Sequence, residues 1–155
     1  MIYEKFKKDN IEFTYSCILI GLEKYCLEID DIKMFIDDML YVKEDVTLEL
    51  KLLNLIERNS LSDIKNLLLK ENLKSTEIDE YKYWYVYLKE LENCIDKQNE
   101  EWQPFASEYW GFYNIIRALS NDKIIPVINF VVNDDLSMED LINQFREFLE
   151  KIVKK

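Results

Sequence analysis

The sequence predicts an all-α protein: a single-domain helical bundle over residues 1–155, with about seven helices in antiparallel helical pairs. Three observations carry that expectation. Apolar residues recur at three- and four-residue spacing almost from end to end. Only 2 Gly and 2 Pro occur in 155 residues, too few for the closely spaced turns of a β-sandwich or barrel. Hydrophobic residues reach 48% beside 33% charged residues, the balance of a globular chain and not of a disordered one.

The first stripe is Tyr15, Ile18, Leu19, Leu22 and Cys26. Ile32, Phe35, Ile36, Met39 and Leu40 form the second, entered through Asp30, whose carboxylate suits a helix cap. Leu48, Leu52, Leu55 and Ile56 follow, and Leu50 and Leu53 widen that face, so this helix is expected to be buried on more than one side. Ser60 with Asp63 resembles a capping box ahead of Leu61, Ile64, Leu67 and Leu68. Thr76 with Asp79 repeats the signal before the longest helix, predicted over Glu77–Lys97, with stripe Tyr81, Trp84, Tyr85, Leu88, Leu91 and Ile95. Tyr83 and Tyr87 give it a second aromatic side. Pro104 stops or starts an element, and Tyr109, Phe112, Tyr113, Ile116 and Leu119 form the next stripe. Residues 123–132 break the rhythm with a β-branched apolar run around Pro126, read as a short buried helix or an extended core segment. Ser137 with Asp140 caps the last helix, where Leu141, Ile142, Phe145, Phe148, Leu149 and Ile152 keep the period.

The layout resembles a bacterial domain-of-unknown-function family, numbered 2247, found among immunity proteins of polymorphic toxin systems. The resemblance starts in residues 13–23, with an aromatic, a polar helix start and Gly21 inside an apolar stretch. It continues through the leucine-rich helices, the Tyr83-Trp84-Tyr85 run of the long helix, and residues 122–132 with Pro126 and Phe130. The family's acidic run before that Pro and the Met-Pro after it are missing here. The resemblance implies a cytoplasmic protein that neutralises a toxin domain, and it brings no catalytic residues.

Composition narrows the chemistry. There is no His, which removes Ser-His-Asp and Cys-His catalysis, histidine metal sites and histidine pH switching. Cys17, Cys26 and Cys94 lie in helical patterns without CxxC spacing and read as small buried thiols in a reducing compartment. Gly21 and Gly111 are isolated, so no glycine-rich phosphate loop can form. The acidic run at Asn133–Glu139 lacks the alternating ligands and turn glycine of a calcium loop. The expectation is therefore a protein that is not an enzyme, with no metal and no cofactor. The chain start carries no signal-peptide run, and no stretch reaches membrane-spanning apolar length, so a cytoplasmic location is expected.

Charge points to a partner. Against 20 Lys and Arg stand 31 Asp and Glu, a formal net charge of −11. Such a surface repels nucleic acid and anionic lipid and attracts a basic protein. Within residues 90–140 the acids are Glu90, Glu92, Asp96, Glu100, Glu101, Glu108, Asp122, Asp134, Asp135, Glu139 and Asp140, opposed by Lys97, Arg117 and Lys123. Trp102, Phe105, Tyr109 and Trp110 interleave with them, and buried Trp and Tyr are the usual anchors of protein interfaces. The predicted partner-binding residues are thus Glu100, Glu101, Trp102, Glu108, Trp110, Asp122, Asp134 and Asp135. A second acidic stretch spans residues 28–49, with only Lys33 and Lys43 as cations. The expected function is an immunity protein that blocks a basic toxin domain; the alternative is an acidic helical scaffold or regulatory adaptor for a host protein or peptide.

Overall fold

A computed structural model of the chain describes the backbone of residues 1–23, 27–97 and 138–154, and the side chains of 1–23, 27–89 and 146–154. Among the described residues there are seven helices and no strand, so the all-α expectation holds. They are α1 (Ile2–Lys8), α2 (Tyr15–Glu23), α3 (Ile29–Val42), α4 (Thr47–Glu57), α5 (Leu61–Lys70), α6 (Glu77–Lys97) and α7 (Met138–Val153). The predicted helix at 109–119 and the ambiguous segment 123–132 lie outside the described residues. The chain divides into two compact units, Met1–Val86 and Tyr87–Lys155, with the boundary inside α6.

In the first unit, α3 packs on α4 and α4 on α5 across short connections, the arrangement expected of consecutive helical pairs. α1 lies against α3, and α2 against α5. α2 is the innermost helix: Ser16, Cys17, Ile18, Leu19, Ile20 and Gly21 are consecutive and all buried. A helix apolar on every side belongs in the middle of a fold. The role expected of α4 thus falls to α2. On α4 only Glu49 and Leu52 are buried, and Leu50 is 56% exposed, because the helix meets its neighbours along one stripe.

α1 has no counterpart in the expected element list. Seven residues cannot hold a helix in water by local propensity. Packing supplies the stability instead: Ile2, Tyr3 and Phe6 are buried, and Phe6 stands edge-on to Phe13 at 5.0 Å between ring centroids. Tyr3, Phe13 and Phe35 extend the cluster through edge-to-face pairs at 5.2 Å and 5.3 Å, and Tyr15 joins at 5.1 Å from Phe35. Tyr81, Tyr83, Trp84 and Tyr85 of α6 are buried too, as expected of an aromatic stripe that packs inward.

Asparagine follows the ends of α1, α4 and α5 in this glycine-poor chain. Asn10, Asn59 and Asn72 adopt φ of 56°, 54° and 62°, the left-handed conformation that follows a helix C-cap. At each, paired amides return to the last turn: Asn59 N–H to Ile56 C=O at 2.9 Å and Ser60 N–H to Leu55 C=O at 3.2 Å are one set. Helix starts partly follow expectation. The Thr76 hydroxyl accepts the Asp79 N–H at 3.3 Å, a true cap for α6. Ser60 occupies the cap position of α5, but its hydroxyl donates to the Asp63 carboxylate at 2.7 Å. α7 begins at Met138, and the cap expected from Ser137 with Asp140 lies outside the described residues. Asp30 does not cap α3. The cap position is Glu28, and Asp31 accepts the Glu28 N–H at 3.1 Å, while Asp30 points outward from the first turn.

In the second unit Leu149 of α7 is fully buried, and Phe148 and Ile152 are half-buried, so this edge packs inward where it is described. Leu141 and Phe145 lie outside the described side chains.

Gly21 marks a close approach of α2 to Leu27 and to Tyr83 of α6. A methyl group there would stand 2.7 Å from Leu27 Cβ and 2.7 Å from the Tyr83 hydroxyl oxygen. We expect Gly21→Ala to cost about 1–3 kcal/mol by overpacking, despite alanine's better helix propensity. Urea unfolding of the variant would check this; an unchanged or raised midpoint would show that Leu27 and Tyr83 yield.

Candidate functional site

The eight predicted partner-binding residues, Glu100, Glu101, Trp102, Glu108, Trp110, Asp122, Asp134 and Asp135, lie outside the described residues. The second acidic stretch, residues 28–49, is described throughout, and it is built on α3 and the entry to α4.

Helix α3 segregates its side chains. Ile32, Phe35 and Ile36 are buried against the core, whereas Asp30, Lys33, Asp37 and Tyr41 recur at helical spacing along the opposite side and are exposed. Beyond the last turn, Glu44 and Asp45 are also exposed. Tyr41 is 90% exposed and Val42 72%, the two most exposed large hydrophobics among the described residues. These two were missed in the sequence, although a signal was present: Tyr41 lies off the apolar stripe, four residues after Asp37.

The acids of this stretch have different duties. Asp31 is buried and accepts N–H bonds from Tyr3 at 3.0 Å and from Glu28, fastening the start of α1 to the start of α3. Burial raises its carboxyl above the ordinary range, and the two amides only partly offset that. Asp38 accepts the Tyr3 hydroxyl and the Lys7 ammonium, the latter at 3.0 Å, and these bonds hold its carboxyl below the usual range. Asp45 accepts the Thr47 hydroxyl at 2.7 Å and the Thr47 N–H at 3.1 Å, which lower its carboxyl and start α4. Among the described residues, Asp37 and Glu44 have no ion pair.

Beside the exposed end of α3 lies a partly buried polar cluster. Glu49 Oε1 accepts the Tyr15 hydroxyl at 2.7 Å and the ammonium of Lys43, the residue that closes α3. Lys43 Nζ also lies 5.8 Å from the centre of the Tyr15 ring. The Glu49 side chain is fully buried, and its Oε2 has no hydrogen-bond partner among the described residues. Burial pushes this carboxyl up, yet the Lys43 ammonium and the Tyr15 hydroxyl outweigh it and hold it below its ordinary range. The Tyr15 hydroxyl is driven up by burial and by the bond to Glu49.

Neither group offers catalysis. A general acid needs a carboxyl raised and open to substrate. Glu49 is lowered, and both oxygens of the raised Asp31 are taken by backbone amides. Cys17 is buried as expected, and burial pushes its thiol up to about 11, so it is protonated at neutral pH. Cys26 and Cys94 lie outside the described side chains. Among the described residues no helix is long and apolar enough to cross a membrane. What remains on this side of the molecule is an acidic helix face ending in an exposed tyrosine and valine. No family model, curated protein or solved structure matches the chain.

Proposed function

We propose that the chain is a non-enzymatic immunity protein of the bacterial cytoplasm that binds and neutralises a cognate basic toxin domain through an acidic-aromatic surface. The observation that carries this reading is the outward face of α3, where Asp30, Asp37 and Tyr41 are exposed with Lys33 as the one exposed cation of the helix, followed just past its end by exposed Glu44 and Asp45. Toxin nucleases grip phosphates with basic surfaces, and an acidic blocker presents the charge of their substrate. The net charge of −11 steers such a partner in from a distance and raises its association rate. The stretch 100–110 with Asp122, Asp134 and Asp135, outside the described residues, is a separate acidic-aromatic candidate for the same role.

The test is co-purification with the product of the adjacent gene, followed by association rates against ionic strength. A complex is expected, with association slowed by salt. Reversing Glu100, Glu101 and Glu108 to Lys should lower the rate at low salt and flatten its salt dependence, and reversing Asp37 and Glu44 should do the same. A tight complex with another host protein and none with the neighbouring product would favour the adaptor reading. Rates that none of these reversals alters would remove the acidic surface from recognition.

A further inference from the structure

The acidic face of α3 has a defined end, and that end has a chemistry of its own. Tyr41 and Val42 sit in the last turn, exposed to 90% and 72%. The last carbonyls of a helix lack intrahelical partners and carry the negative end of its dipole. No basic residue lies in the last turn of α3 to answer them. The nearest cation in sequence, Lys43, is already paired with the buried Glu49 carboxylate and lies near the Tyr15 ring. Asp37, one turn earlier on the Tyr41 side, and Glu44, just beyond, have no ion pair among the described residues. The end of α3 thus combines an uncompensated negative field, an open aromatic ring and an aliphatic contact.

Three occupants fail on charge. A second copy docking about a two-fold axis would bring this face onto itself and set Asp37 and Glu44 against their equivalents. Phosphate backbones and anionic lipid are repelled. A lysine-rich segment would satisfy the carboxylates but gain little from the ring, because a compact, strongly hydrated ammonium does not stack. A guanidinium does both: it lies flat on a tyrosine face and directs its N–H groups to flanking carboxylates.

We infer that the C-terminal end of α3, built from Asp37, Tyr41, Val42 and Glu44, is the docking point for an arginine-bearing protein segment, with the guanidinium stacked on Tyr41. This inference rests on the reading of the chain as a binder of a basic partner, and it names the residue type that partner supplies. The Lys43–Glu49–Tyr15 cluster beside it acts as a positioning device: it anchors the residue that follows Val42 and so fixes the direction in which the end of α3 projects.

The experiment uses the full chain, isotope-labelled, titrated with a deca-arginine peptide and separately with deca-lysine and deca-glutamate. Amide shifts centred on residues 37–45 are expected with deca-arginine, weaker ones with deca-lysine and none with deca-glutamate. Tyr41→Ala should weaken deca-arginine binding about tenfold and deca-lysine binding little, the loss typical of an aromatic anchor. Tyr41→Phe keeps the ring and should retain most of the affinity. Because Tyr41 is so exposed, both variants should unfold at the parent's denaturant midpoint. Deca-arginine binding unchanged by Tyr41→Ala, or shifts centred on residues 100–110 alone, would overturn the inference. A neighbouring-gene product that binds Tyr41→Ala as tightly as the parent would leave the immunity reading standing and remove this docking point. Peptide docking at Tyr41 without any toxin complex would do the reverse.

Discussion

Phe6→Ala is expected to be among the most damaging truncations in the first unit, at about 3–5 kcal/mol. Phe6 is fully buried, edge-on to Phe13 at 5.0 Å and tilted against Tyr83 at 5.9 Å. Removing the ring deletes the transfer energy of a large apolar group and two aromatic contacts, and it leaves a cavity bounded by side chains from other elements. Such a loss is a large part of the roughly 5–15 kcal/mol that holds a typical domain folded. The effect should have a local signature as well. A seven-residue helix has no independent stability, so the amides of α1 should lose hydrogen-exchange protection before the rest of the unit. Equilibrium denaturation with exchange on the same variant measures both. A cost below about 1 kcal/mol would mean that the site refills and that α1 is an appendage and not a wall of the core.

The element order from α2 to α6 was legible because apolar periodicity states both the helix and its inward side. Trp84 and Tyr85 illustrate this: their spacing placed them in the core, and both are buried. Thr76 with Asp79 was legible for another reason, since a cap is a short-range event whose partners are adjacent in sequence. α1 was not legible, because Ile2, Tyr3 and Phe6 are too few to show a period and their helix exists only through distant residues such as Phe13 and Phe35. Burial on more than one side, expected of α4, belongs to α2 for a related reason. Leucine at Leu48, Leu50, Leu52, Leu53 and Leu55 gave α4 a wide apolar face, whereas α2 draws its burial from position, with small Ser16, Cys17 and Gly21 admitting close neighbours. The acidity of residues 28–49 was plain in the composition, but its division was not. Which carboxylates face water and which are spent on Tyr3, Thr47 or Lys43 depends on contacts far apart in the chain.

Lys43→Met should destabilise the chain at neutral pH by about 2 kcal/mol, and the deficit should close in acid. The ammonium of Lys43 and the hydroxyl of Tyr15 hold the fully buried Glu49 carboxylate, whose Oε2 has no other described partner. Removing one partner from a buried pair strands the other charge, which costs about 3–5 kcal/mol when both are desolvated. Lys43 is 39% exposed, so water already screens part of the interaction and the smaller figure applies. The sign of the pH dependence follows from the direction of the shift. Glu49 is held below its ordinary range in the fold, so its contribution is full above the carboxyl range of the unfolded chain and is lost as pH falls through the lower folded value. In Lys43→Met the same carboxyl is buried without its cation, burial dominates, and its value rises above the ordinary range. Protonation then relieves the variant at a pH where the parent is beginning to lose its ion pair, so the two stabilities converge. Glu49→Gln placed in the Lys43→Met background should recover much of the neutral-pH loss, since the amide carries no charge to strand. Urea unfolding of parent, single and double variants at pH 7 and pH 4 measures all of this. A deficit of the same size at both pH values, unrelieved by Glu49→Gln, would mean that Lys43 acts through its aliphatic stem against the Tyr15 ring and that the carboxylate needs no cation.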